Sequence, residues 1–306
     1  MKRRSLIASA AAAGATLAAP KLSFAQSEAT PAAEGDAMTD TTPQTAYAPV
    51  NGLQMYYETH GSGGVPVILL HGAYMAIGSM GWLLAPLAKM RQVIAVEVQG
   101  HGHTGDVDRP LQYEAMADDV AALMDHLGIA QADVVGYSMG GCVALQLLIR
   151  HPDVVRRVVS VSSMSRLDGL YPEVIAGIAE LTPEMMMASP WYEEYASVAP
   201  NPDDFPVLVE KLKRLDAEEF AWPAEEIEAI EAPTLLIIGD ADVIRPEHTV
   251  ELFRLLGGGV PGDLAGLPKA RLAVLPGTTH LTVMERATWL APMITEFLDE
   301  PMPDAG

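Results

Sequence analysis

Asp133-Val134-Val135-Gly136-Tyr137-Ser138-Met139-Gly140-Gly141-Cys142-Val143-Ala144-Leu145 is the stretch whose reading decides the fold. A short β-branched run ends in Gly-x-Ser-x-Gly and passes directly into an apolar, helix-forming segment. That is the pattern of a strand, a sharp turn and a helix, with Ser138 at the tip of a nucleophile elbow. The turn strains the backbone, and glycine at 136 and 140 removes Cβ atoms that would crowd the neighbouring strand and helix.

On both sides of this elbow the chain alternates strand and helix. Upstream, Val50-Asn51-Gly52-Leu53 carries an Asn-Gly tight turn into an alternating run through Glu58, read as an antiparallel strand. Val65–Leu70 and Gln92–Val98 are continuous apolar runs of the kind buried on both faces of a parallel sheet. Helical stretches over 81–90 and 113–127 separate them, the second stopped by Gly128. Downstream, strands are expected over 157–161, 233–239 and 271–275, with helices over 247–256 and 283–298. The rhythm predicts an α/β fold, a mostly parallel sheet with helices on both faces.

Between Met164 and Ala232 the rhythm breaks into proline-rich, helix-like segments with no strand pattern. The Met185-Met186-Met187 run, Trp191, Tyr192 and Tyr195 lie there. An insertion at this place is expected to form a helical cap over the carboxyl edge of the sheet, where open α/β folds hold their sites. The segments are then a leader over 1–25, a disordered linker over 26–47, core over 48–163, cap over 164–232 and core again over 233–300.

The leader opens Met1-Lys2-Arg3-Arg4, continues through small apolar residues to Ala19, and offers Ser23-Phe24-Ala25 for cleavage. The Arg pair before a mild apolar stretch resembles twin-arginine signals, which export folded proteins to the periplasm or beyond; an ordinary Sec signal is the alternative. Replacing Arg3-Arg4 with Lys-Lys should trap precursor in the cytoplasm, whereas normal export of that variant would favour the Sec route. Removing the leader takes away four positive charges, moving the formal net charge from −21 to −25. So acidic a surface repels nucleic acid and anionic lipid, so neither is expected as a partner. Cys142 is the single cysteine, which excludes an intrachain disulfide; its place after the elbow suggests a small buried hydrophobe.

Acyl transfer by a serine needs a base to take its proton, an acid to orient that base, and donors where the oxyanion forms. In chain order after Ser138, an aspartate at 240 or 242 and His280 each follow an expected strand. Of His71, His101, His103 and His280, only His101 and His103 stand close, two apart in a glycine-rich loop with no third ligand at a metal spacing, so no metal is expected. Neither a Walker-type phosphate loop nor a dinucleotide fingerprint is visible, so no cofactor is expected.

From about Val50 to Leu298 the chain resembles α/β-hydrolases of the capped carboxylesterase, lactonase and cofactor-free haloperoxidase kind. The motifs that carry the resemblance are Leu-Leu-His71-Gly72, Gly100-His101-Gly102-His103-Thr104, Gly-Tyr-Ser138-Met-Gly-Gly, Gly239-Asp240-Ala241-Asp242 and Gly277-Thr278-Thr279-His280. It implies a triad of Ser138, Asp242 and His280, Asp242 being chosen because the acid stands three residues after the strand-ending glycine. It further implies oxyanion donors from the backbone amides of Met139 and Ala73, with Tyr74 one position away as the alternative, and a bracing role for His71. Gln99 stands where the family often has arginine and Thr104 where it has serine. Tyr74 and Met75 replace a glycine-rich run of some relatives and are expected to narrow the mouth. Tyr74, Met75, Met186, Trp191 and Tyr192 are the expected substrate contacts. The reaction implied is hydrolysis of a neutral small-molecule ester or lactone. A perhydrolase or carbon–carbon hydrolase would use the same triad, and a periplasmic ligand-binding protein on this scaffold is the non-catalytic alternative.

Overall fold

The computed structural model describes residues 43–217 and 220–302; the leader and residues 26–42 of the expected linker lie outside them. The fold opens with β1 (Gln44–Val50) and β2 (Leu53–His60), an antiparallel hairpin. Its turn is Asn51-Gly52, with φ 47° and 88°, the two positive dihedrals that a tight hairpin matched to strand twist requires. The expected boundary at 47/48 therefore falls inside β1. Residues 44–47 escape an alternation reading because their side chains stay largely in solvent, and pairing of Gln44 to Tyr47 with Tyr56 to Thr59 holds them in the sheet.

Next come β3 (Val67–Leu70), α1 (Gly81–Ala88), β4 (Val93–Val96), α2 (Tyr113–His126), β5 (Ala132–Tyr137), α3 (Met139–Arg150) and β6 (Val155–Val161). Five helices follow before the sheet resumes: α4 (Pro172–Ala179), α5 (Pro183–Met187), α6 (Pro190–Val198), α7 (Phe205–Ala217) and α8 (Ala224–Glu228). The remainder is β7 (Thr234–Gly239), α9 (Pro246–Leu255), α10 (Gly262–Ala265), β8 (Ala270–Leu275) and α11 (Ala287–Asp299).

The strands form one eight-stranded sheet in the order β1-β2-β4-β3-β5-β6-β7-β8. Only the pairs at the β1–β2–β4 edge are antiparallel. Strands β3, β4, β5 and β7 are buried along their whole length, which explains their unbroken apolar sequences. On one face α2 and α3 pack over the sheet in a core that includes Met116, Val120, Val143 and Leu147. On the other, α1 and α11 meet across Leu83, Leu87, Leu290 and Ile294.

The cap is tied to the core by polar contacts as well as by packing. Lys211 Nζ, on α7, donates to Asp106 Oδ2 at 2.6 Å and to the carbonyls of Val107 and Arg109, both at 2.7 Å. These acceptors belong to the loop after β4. Gln99 keeps that loop closed, its Nε2 donating to Asp106 Oδ1 at 2.8 Å and its Oε1 accepting from Arg109 Nε at 2.6 Å. Thr104 ties the same loop to β2: its hydroxyl donates to the Glu97 carbonyl at 2.7 Å and accepts from the Tyr56 amide at 2.8 Å.

Candidate active site

β5 ends at Tyr137, α3 begins at Met139, and the single residue between them carries the whole turn. Ser138 has φ 54° and ψ −120°, a conformation costly for any residue with a Cβ. Ser138 N–H donates to the Val161 carbonyl at 2.8 Å, and its own carbonyl accepts from Gly141 and Cys142. A Cβ at Gly136 would run into the Gly140 backbone, and one at Gly140 into the carbonyls of Leu70 and His71. The two glycines therefore let strand and helix close on each other while Ser138 is pushed out at the tip.

Three loops at the carboxyl ends of β5, β7 and β8 bring their side chains together. Ser138 Oγ lies 2.9 Å from His280 Nε2, and His280 Nδ1 lies 2.8 Å from Asp242 Oδ1. Asp242 also accepts from the Ser162 hydroxyl on Oδ2 at 2.6 Å and from the Ile244 amide on Oδ1 at 3.2 Å. Burial pushes the Asp242 carboxyl up, but the hydrogen bond and charge of His280, with the donors from Ser162 and Ile244, outweigh it and hold the pKa below its ordinary value. An ionised Asp242 only accepts, so His280 Nδ1 carries the proton and Nε2 offers its lone pair to the serine hydroxyl. Asp240 is engaged elsewhere, accepting from the Thr278 amide at 3.1 Å. The Tyr137 hydroxyl donates to the His280 carbonyl at 2.8 Å and so anchors the loop that bears the imidazole.

Met139 is the first residue of α3, and its N–H, like those of Ala73 and Tyr74, has no backbone acceptor among the described residues. The Gly72–Met75 turn, closed by Met75 N–H to the Gly72 carbonyl at 3.3 Å, holds Tyr74 at φ 65°. Beneath it His71 bridges two loops: Nδ1 meets the Gly72 carbonyl at 2.8 Å and Nε2 accepts from the Val98 amide at 3.2 Å. Burial lowers the pKa of His71 to about 4, and burial together with His71 takes His101 to about 3, so both rings are neutral framework. Among the described residues no group of three or more His, Cys, Asp or Glu side chains is arranged to hold a metal ion. Cys142 is buried, with its thiol pushed up to about 12 by desolvation, as befits a packing residue rather than a reactive one.

A cavity of about 230 Å³ opens onto Ser138 and His280 beneath the cap. Of the expected substrate contacts, Tyr74, Met75 and Trp191 line it, whereas Met186 and Tyr192 do not. In the five-residue α5, Met186 turns inward into cap packing while Met185 and Met187 face solvent. Tyr192 and Tyr195 each pack with ring centroids 5.0 Å from Phe205, where they join the main hydrophobic core. The cap wall of the cavity is aliphatic instead: Leu170, Val174, Ile178 and Leu181 from the α4 region, and Leu212 and Leu215 from α7. Asp216, also on α7, is its one acidic cap residue. Neither Asp216 nor the Ser162 contact to Asp242 is marked by any sequence motif. Apolar spacing along α7 was the available signal for its leucines.

Residues 65–201 match the sequence model described as the alpha/beta hydrolase fold. A pimeloyl-[acyl-carrier protein] methyl ester esterase of Neisseria meningitidis serogroup B is 30% identical over 258 residues, an alignment covering 76% of this chain and 92% of that one. The chain belongs to the α/β-hydrolase family. Its hydrolase relatives bear different names. A 2-hydroxymuconate semialdehyde hydrolase from a Pseudomonas species is 29% identical over 273 residues, covering 79% of this hydrolase and 89% of the relative. Among solved structures, the enol-lactonase from Burkholderia xenovorans LB400 superposes with a TM-score of 0.65 at 25% identity, covering 83% of this hydrolase and 100% of the lactonase. Esterase, lactonase and semialdehyde hydrolase names thus all occur among proteins similar to this hydrolase.

Proposed function

We propose that this protein is a serine hydrolase that cleaves a carboxylic ester or lactone through an acyl-enzyme. The observation that carries the reading is the unbroken chain from Ser138 Oγ through His280 to an ionised, buried Asp242, opening on an apolar cavity. Ser138 attacks the acyl carbon while His280 Nε2 takes its proton. The amides of Met139 and Ala73 receive the developing oxyanion, and collapse of the intermediate returns the proton to the departing alcohol. Water then repeats the sequence on the acyl-enzyme. Asp242 holds the imidazole in the required tautomer and stabilises its cation.

The aliphatic cap wall supports selection by apolar fill. Along a p-nitrophenyl ester series, each added methylene should raise kcat/KM by up to about fourfold until the cavity is full, from a transfer free energy of about 0.8 kcal/mol. A flat response from acetate to octanoate would remove the cap from the acyl pocket. Because a carbon–carbon hydrolase would use the same triad, and a 29% identical relative is named a 2-hydroxymuconate semialdehyde hydrolase, vinylogous diketones belong in the same panel. Turnover of those alone would replace the ester reading with that one. Export through a twin-arginine leader is proposed on Arg3-Arg4 and Lys21.

A further inference from the structure

The buried carboxylates of the core all have partners, whereas Asp216 is partly exposed, into the cavity. Asp119 is paired with Arg109 and accepts from Asn51 at 3.0 Å. Asp133 accepts from Arg156 Nε at 2.8 Å. Glu97 accepts from the Ile77 amide at 3.1 Å and from His103 Nδ1 at 3.0 Å. Asp242 has His280, Ser162 and Ile244. Asp216, near the end of α7, has no hydrogen-bond or ion-pair partner among the described residues, and it lines the same cavity as Ser138. A desolvated carboxylate without a partner is costly, and a ligand that brings a cation offsets that cost directly.

We propose that Asp216 is the specificity-determining residue of this cavity, selecting esters that carry a primary ammonium group on the portion that fills it. The proposal rests on the serine-hydrolase reading for the word ester, but not for the binding preference. Two features of the cavity support it. Tyr74, Tyr113, Tyr137 and Trp191 line the walls, aromatic faces that attract a cation in a dry site. The strongly acidic chain also draws cations toward its surface and repels carboxylates.

The groups facing Asp216 are few. Tyr113 comes from α2, Cys142 from α3, Tyr74 from the loop after β3 and His280 from the loop after β8, while Glu210 on α7 itself acts on Tyr74. From α4 and α6 only Val174, Ile178 and Trp191 reach the cavity. Desolvation pushes the Asp216 carboxyl up to about 7, against a small opposing effect of His280. It is therefore neutral in mild acid and ionised in mild base, and preference for a cation must grow with pH. The same shift makes the native state lose stability as pH rises from about 4, the unfolded value, to about 7. Asp216→Asn should accordingly raise the melting temperature at pH 8 and leave it nearly unchanged at pH 4.

Benzylammonium and benzyl alcohol, of nearly equal size and differing in charge, provide the test. Their dissociation constants for the full-length mature chain are measured by NMR titration at pH 6 and 8. The wild type should bind benzylammonium at least about tenfold more tightly at pH 8 and lose most of that preference at pH 6. Asp216→Asn should abolish the preference, and Asp216→Glu should keep part of it. Equal binding by the wild type, tighter binding of the alcohol, or a preference that survives Asp216→Asn would overturn the proposal. So would a fall in melting temperature of the Asn variant at pH 8, which would reveal a partner for the carboxylate. Because binding is read without turnover, a failure to hydrolyse any ester would sink the functional reading while leaving this result intact.

Discussion

Replacing Ser138 with alanine, or His280 with alanine, is expected to lower kcat by about 10⁶-fold while leaving the fold and its melting temperature close to wild type. The size of the loss follows from the geometry. The hydroxyl at 2.9 Å from Nε2 is a poor nucleophile until its proton leaves, and the imidazole has no other task in the cavity. Removing either partner leaves only the oxyanion donors and the binding of substrate, so the second deletion costs little once the first is made. The double variant should resemble each single variant. If the two losses multiplied instead, serine and histidine would not be acting as one unit. Steady-state kinetics on a p-nitrophenyl ester, with circular dichroism to verify the fold, makes the comparison.

Asp242→Asn is expected to lower kcat by about 10⁴-fold, and Asp240→Asn to change it by less than about tenfold. The asparagine can present an N–H where the carboxylate accepted one, which turns the His280 ring toward the wrong tautomer. Ser162 would still hold the side chain through the oxygen at the Oδ2 position, so the damage is mainly electronic rather than positional. Asp240 touches the Thr278 amide and not the imidazole. A larger loss for Asp240→Asn than for Asp242→Asn would contradict the assignment of the acid.

Much of this site is legible in the sequence because backbone geometry writes itself into residue type. The elbow needs glycine at 136 and 140, the hairpin needs Asn51-Gly52, and the buried strands need unbroken apolar runs. Those constraints are local, so a linear pattern carries them. The order serine, aspartate, histidine along successive strand ends was legible for the same reason. Ser162 was not: its hydroxyl reaches Asp242 across 80 positions of chain, and nothing at Ser160-Val161-Ser162 marks it. The cap was legible as helical but not in its facing. Met186 and Tyr192 point into cap packing, and aliphatic side chains of α4 and α7 form the cavity wall, because short proline-started helices take their rotation from tertiary contacts rather than from their own periodicity. Asp216 stayed hidden for a related reason. In sequence it is one acid on a helix of mixed charge, and only its position beside the cavity makes it unusual.

Intact-mass measurement after exposure to a fluorophosphonate tests most directly whether Ser138 is an activated nucleophile. One adduct per chain is expected, mapped by peptide sequencing to Ser138, absent from Ser138→Ala and strongly slowed in His280→Ala. An unmodified wild-type chain, or an adduct on any other residue, would contradict the account.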